Sequence, residues 1–178
     1  MRVLIEGRPG SGKSTVAARV ARLLRDRKIE VRGFVTDEVR ESGVRVGFRV
    51  KSFGGDEATL ADVGLPGPPR VGRYGVDLHA FERVALPALQ SPPADAVVVI
   101  DELGKMELAS ERFRERVLEL LDAPITVVAT VHAFRHPFTD QLKSRAGIQL
   151  IKLVRANRDA LPAQLVERRL QDRCSRTH

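Results

Sequence analysis

Near the N-terminus stands Gly7-Arg8-Pro9-Gly10-Ser11-Gly12-Lys13-Ser14, which fits the spacing G-x-x-x-x-G-K-[ST] at every fixed position. The chemistry open to such a run is phosphate capture. Its glycines let successive backbone N–H groups converge on an anion with no Cβ in the way. Lys13 would reach the β- and γ-phosphates of a nucleoside triphosphate, and the Ser14 hydroxyl would bind Mg²⁺. The flanks agree. Val3-Leu4-Ile5 is a short apolar strand, and after Thr15 the residues Val16, Val20, Leu23 and Leu24 recur at helical spacing. A helix starting there adds unpaired donors and partial positive charge to the anion site.

A phosphate cradle does not hydrolyse by itself. It needs an acidic residue at the end of a neighbouring buried strand. Val97-Val98-Val99-Ile100-Asp101-Glu102 is that element: a β-branched run, then two carboxylates where the strand emerges. Asp101 would hold Mg²⁺ through water together with Ser14. Glu102 is placed to orient and polarise an attacking water. Gly104 allows close backbone approach, and Lys105 either adds positive charge near the phosphates, pairs with a site carboxylate or stands in solvent. Thr130, ending the next strand, either senses the γ-phosphate or only closes the strand. His132 reads as a loop histidine, since no second ligand lies at metal spacing.

The elements needed to position these residues follow from periodicity. Glu30 to Thr36 reads as a strand. Val44, Val46, Phe48 and Val50 alternate with polar or small residues after Ser42-Gly43, which makes an antiparallel hairpin. Lys51 to Pro69, rich in Gly and Pro, is the most loop-like part, with one short strand near Thr59 to Val63. Val71 to Val76 reads as a strand. Asp77 caps a helix from Leu78 to about Leu89, shortened or kinked by Pro87. Ala96 to Ile100 is a strand buried on both faces. Ser110 caps a helix bearing Phe113, Val117, Leu120 and Leu121; a strand runs from Ile125 to Thr130 and a short helix from Phe138 to Ser144. A strand from Gln149 to Val154 and a helix from Leu161 to about Gln171 complete the chain. Strands alternating with helices predict an α/β fold: a mostly parallel sheet with helices on both faces and an antiparallel hairpin insert. With no linker or repeat, residues 1–178 are expected to form a single domain.

Composition bounds the rest. The 178 residues are 43% hydrophobic and 30% charged, as in a soluble globular domain. No apolar run approaches a membrane span, and the N-terminus does not read as a secretory signal. The single cysteine, Cys174, allows no internal disulfide, so the cytoplasm is the expected compartment. A net charge of +7 admits nucleic acid as a partner. The basic residues are nevertheless dispersed among acidic ones and aromatics are few, so nucleic acid is not favoured.

These stretches together resemble the small P-loop nucleoside-triphosphatases known as thermophilic nucleotide phosphatases and, in vertebrates, as cancer-related nucleoside-triphosphatases. The resemblance rests on Glu6 to Thr15, Gly33 to Val50, Val71 to Glu82, Val99 to Ser110, and Val127 to Thr130 with Asn157-Arg158-Asp159. The second and fourth are the most specific. The family resemblance implies a RecA-like core and Mg²⁺-dependent hydrolysis of ATP, GTP, CTP and UTP with broad base tolerance. It assigns nucleotide contact to Gly7, Arg8, Pro9, Gly10, Ser11, Gly12, Lys13, Ser14 and Thr15, and to Asp101, Glu102, Leu103, Gly104 and Lys105. Glu6 departs from the family's commoner small polar residue, and its carboxylate must turn away from a bound phosphate. Arg40, Arg45, Arg73 and Tyr74 lie in the matching segments, where an arginine would stabilise charge on a transferring phosphoryl group. Asn157-Arg158-Asp159 is expected to cap the last helix.

Two other activities compete. A kinase on the same scaffold needs an acceptor pocket and lid, for which only Lys51 to Arg73 is available. Glu102 argues for hydrolysis, since a kinase need not activate water. A nucleic-acid-stimulated ATPase would show strongly salt-dependent binding.

Overall fold

The computed structural model describes residues 1–174. Nine strands form one sheet. Five run parallel in the order β2 (Val31–Glu41), β7 (Val97–Leu103), β8 (Thr126–His132), β1 (Arg2–Gly7) and β9 (Gln149–Lys152). Beyond β2 the sheet turns antiparallel through β3 (Val44–Ser52), β4 (Glu57–Asp62), β6 (Tyr74–Val76) and β5 (Arg70–Val71). The expected hairpin insert is thus the start of a larger wing. The stretch from Lys51 to Pro69, read as mostly loop, supplies a full strand, β4, and Val71 to Val76 is a tight two-strand turn, not one strand. Gly and Pro mark the turns there, and the short strand expected near Thr59 to Val63 is β4, begun two residues earlier.

The parallel strands are buried on both faces because helices cover both. Alternation along β7 makes the division: Val97 and Val99 face one layer, Val98 and Ile100 the other. On the first face lie α1 (Lys13–Asp26) and α5 (Leu161–Cys174), with Val16, Val20, Leu24, Leu161 and Leu165 turned inward. On the second lie α2 (Leu78–Leu89) and α3 (Glu111–Asp122). The side chain of Cys174 lies outside the described residues. Asp77 caps α2 by accepting from the Ala80 N–H at 2.8 Å, and Ser110 caps α3 by accepting from the Phe113 N–H at 3.0 Å. α2 runs through Pro87 but ends two residues later, at Leu89.

A ring cluster joins the wing to the core. Phe34 on β2, Phe81 on α2 and Phe113 on α3 are fully buried, with centroids 5.1–5.6 Å apart. Phe34 lies in the half of β2 that pairs with β7, so the cluster anchors the strand shared by the parallel sheet and the wing. α4 (Pro137–Lys143) closes the far side of the sheet with Leu142 in the core.

Candidate active site

β1 delivers the glycine loop to the carboxyl edge of the sheet. Within the loop, the Ser11 N–H donates to the Arg8 carbonyl at 3.1 Å. Gly12 then takes φ +94°, a left-handed conformation that a side chain resists, and α1 begins at Lys13. No side chain caps this helix, so its first N–H groups stay available to an anion. Lys13 is 7% exposed. Its ammonium donates to the Gly7 carbonyl at 3.1 Å and the Arg8 carbonyl at 3.4 Å, and lies 3.3 Å from Glu102 Oε2.

β7 brings the acidic pair to the same edge, although it is not the direct neighbour of β1 that the sequence suggested: β8 lies between them. Asp101 is buried, and its carboxylate accepts from the Thr130 and Ser14 hydroxyls. Burial pushes its pKa up to about 6, against the two hydroxyl bonds; the Glu102 charge adds to the rise and Lys13 opposes it. Thr130 therefore holds the carboxylate. Glu102 is one-third exposed and faces the cavity.

One cavity of about 410 Å³ gathers Pro9, Gly10, Lys13, Ser14, Asp101, Glu102, Gly104 and Lys105. Ser11 backs the loop from beneath Gly7, and Arg8 is exposed at its outer turn. Thr15 faces a separate shallow groove with Arg19, Arg22 and Asp37. Leu103 is packed in the core, paired with Val131 on β8. Glu6 does turn away: it forms a 2.8 Å ion pair with Lys143, whose ammonium also donates to the His132 carbonyl.

Of the arginine candidates, Arg45 reaches the cavity wall. It is held there by Glu38 at 2.5 Å and by the Tyr74 hydroxyl at 3.2 Å, and it lies over the Phe48 ring. Arg40 is bound to Glu38 at 2.6 Å, and Arg73 donates to the Arg45 carbonyl. His132 is not a loop histidine. It ends β8 level with Gly7, only 5% exposed, and lines the cavity. Burial is the main reason its pKa is lowered, which favours the neutral imidazole.

Sequence reasoning missed Glu107. It sits in a 3-10 turn (Glu107–Ala109) that folds back under Glu102, 4% exposed, accepting from the Thr36 hydroxyl at 3.3 Å. Burial, then the Glu102 charge, pushes its pKa up to about 8. Gly104 makes room for both: a Cβ there would stand 2.6 Å from Glu107 Oε2 and 3.1 Å from Glu102 Oε1. Glu107 lay within the stretch carrying the family resemblance, but nothing in its spacing announces the turn. Thr36, Glu38, Phe48, Val71, Met106 and Phe134 also line the cavity, and their spacing was equally silent.

A glycine loop between β1 and α1, an acidic strand end beside it and a doubly covered parallel sheet define a P-loop nucleotide-binding fold. Comparison with known proteins narrows this. The model of the NTPase family matches residues 2–166, so the chain belongs to that family. It is 39% identical to the nucleoside-triphosphatase THEP1 of Thermotoga petrophila, over 93% of this chain and 91% of that one. It is 36% identical to the human cancer-related nucleoside-triphosphatase, over 92% and 94%. The crystal structure of THEP1 from Aquifex aeolicus superposes with a TM-score of 0.85 at 33% identity, covering 94% of this chain and 98% of that one. Among the described residues no helix is long and apolar enough to cross a membrane. Nor, among them, do three or more His, Cys, Asp or Glu side chains converge as a metal cage.

Proposed function

We propose that the protein hydrolyses nucleoside 5'-triphosphates, ATP, GTP, CTP and UTP alike, to the diphosphate and phosphate, with Mg²⁺. The observation that carries this reading is the Lys13–Glu102 pair, 3.3 Å apart at the cavity wall beside Asp101 and Ser14. The incoming phosphates take the Lys13 ammonium and the N–H groups of Gly10 and of Gly12 to Thr15. Glu102, released from Lys13, accepts a proton from a water in line with the γ-phosphorus. The new P–O bond forms as the bond to the β,γ-bridging oxygen breaks, and the diphosphate leaves with that oxygen.

The Ser14 hydroxyl and the Asp101 carboxylate form an all-oxygen donor set, which suits a small hard cation that keeps most of its own waters. Such an ion, held by Ser14 and Asp101, would supply neutralisation of the phosphate charge. Thr130 orients Asp101 for that duty. Of the remaining family-matched positions, Gly7, Arg8, Pro9, Ser11 and Gly12 shape the loop, and Leu103, Gly104 and Lys105 shape the opposite wall. The continuous sheet supports reading residues 1–178 as one domain, and the lone cysteine supports a cytoplasmic setting.

A second reading is favoured by one feature. Phe48, Val71 and Met106 give the cavity an apolar wall beyond the phosphate site, where a hydroxyl acceptor of a kinase reaction would rest. Phosphate release by the purified protein decides between them. The four triphosphates are tested with magnesium or chelator, and with and without RNA or DNA. Expected is metal-dependent release from all four, within about a hundredfold of one another and unmoved by nucleic acid. No phosphate release, or nucleoside diphosphate formed only when a hydroxyl acceptor is added and with the phosphoryl group on that acceptor, overturns the hydrolase reading.

A further inference from the structure

The cavity accounts for only one end of a triphosphate. Lys13, Asp101 and Glu102 stand on the β7 side of the glycine loop. β1 has its other neighbour, β9, on the opposite side, and the Leu153 N–H donates to the Glu6 carbonyl at 2.7 Å. The segment leaving β9 therefore emerges level with the phosphate loop. Asn157 locks it: its side chain accepts from the Val154 N–H and donates to the Lys152 carbonyl, both at 2.9 Å. The Asn157 carbonyl accepts from the Leu161 N–H at 2.9 Å; α5 starts at Leu161, and the Asn157 side chain secures the end of β9 instead of capping that helix.

This lock sets Arg158 across the loop. A Cβ added to Gly12 would stand 2.8 Å from Arg158 Cδ, so the arginine's aliphatic stem lies on the bare face of that glycine. Its ion pair with Asp159 is long, at 3.5 Å, and exposed, which holds the head group only weakly.

With the γ-phosphate directed toward Glu102, the ribose and base must leave the cradle on the far side, past Gly12. We propose that Arg158 is the base-holding residue, its guanidinium plane lying against the face of the nucleobase. A planar cation stacks well on a π-face. Every base has such a face, so the contact adds affinity without choosing among bases. The inference rests on the triphosphatase reading and explains its base tolerance.

Calorimetric titration with non-hydrolysable imido analogues of ATP and CTP, and with inorganic tripolyphosphate, tests it in wild type, R158A and R158K. Because binding is measured, the test does not depend on hydrolysis. For R158A, both nucleotides are expected to bind about tenfold more weakly, the purine losing more, a size set by base stacking. Tripolyphosphate, which has no base, should stay within about twofold. R158K should remain close to R158A, since an ammonium has charge but no plane. In turnover, KM for ATP rises while kcat holds. Unchanged nucleotide affinity in R158A overturns the inference. So does an equal loss for tripolyphosphate, which would make Arg158 a phosphate ligand or a support for the loop, and so does full recovery in R158K. Wild-type protein that binds neither nucleotide nor tripolyphosphate refutes the triphosphatase reading itself, and with it the inference.

Discussion

Glu102→Gln separates binding from chemistry, and the resting site sets both magnitudes. Gln keeps the shape and loses the charge. Before substrate arrives, Glu102 Oε2 lies 3.3 Å from the Lys13 ammonium, which also holds the Gly7 and Arg8 carbonyls. Lys13 is buried but Glu102 is one-third exposed, so solvent screens the pair and it contributes about 1 kcal/mol at most. A triphosphate must break that pair to take Lys13. In the variant there is no pair to break, so affinity should rise, by up to about fivefold. Turnover should fall about a hundredfold or more, the usual loss for a general base and about 2.7 kcal/mol of barrier. Single-turnover phosphate release beside an equilibrium titration with a non-hydrolysable analogue reads the two quantities separately. A fall in affinity parallel to the fall in turnover refutes the reasoning, because it makes Glu102 part of the metal-holding set. Unchanged turnover refutes it too, because another group then orients the water.

Two further outcomes follow from the core around the site. Glu107 has its pKa raised to about 8, so the native state keeps a proton that the unfolded chain releases near the ordinary 4.5. The stability tied to that proton is present below about pH 4.5 and is lost as pH rises through about 8. Glu107→Gln mimics the protonated form; the Tm of the variant should fall less than that of wild type between about pH 5 and 9, and parallel curves in thermal scans would refute this. Phe113→Ala empties the fully buried centre of the ring cluster. Urea unfolding should show a loss of about 3–5 kcal/mol, whereas a loss under about 1 kcal/mol would mean that Phe34 and Phe81 close the gap.

The parts of this molecule that are local in sequence were legible from it. The glycine loop, the apolar run ending in Asp101 and Glu102, and the caps at Asp77 and Ser110 each carry their signal within about ten residues, and each lies where expected. The wing was read only in part. β4 was expected as a short strand near Thr59 to Val63, whereas β5 and β6, two and three residues long, are too short for alternation to divide them. The rest of the site depends on tertiary register. Glu107 enters because a 3-10 turn folds back against Thr36, a contact spanning 71 residues. His132 enters because β8 runs to the level of Gly7. Arg158 rests on Gly12 because β9 pairs with β1. No window along the chain contains those juxtapositions.

The sheet is open at both ends, and this bears on how the molecule behaves when crowded with copies of itself. An open edge offers unpaired N–H and C=O groups that can template another chain and grow a fibre. Here one border is β5, two residues long, and the other is β9, four residues long with exposed Lys152. Arg168 reaches from α5 to the Gln149 side chain, placing a further cation along that second border. Neither border is long enough to propagate a ladder, and the second is lined with charge. A broad sheet is thereby kept at high concentration with little tendency to polymerise edge to edge, leaving its length free to carry the wide cavity.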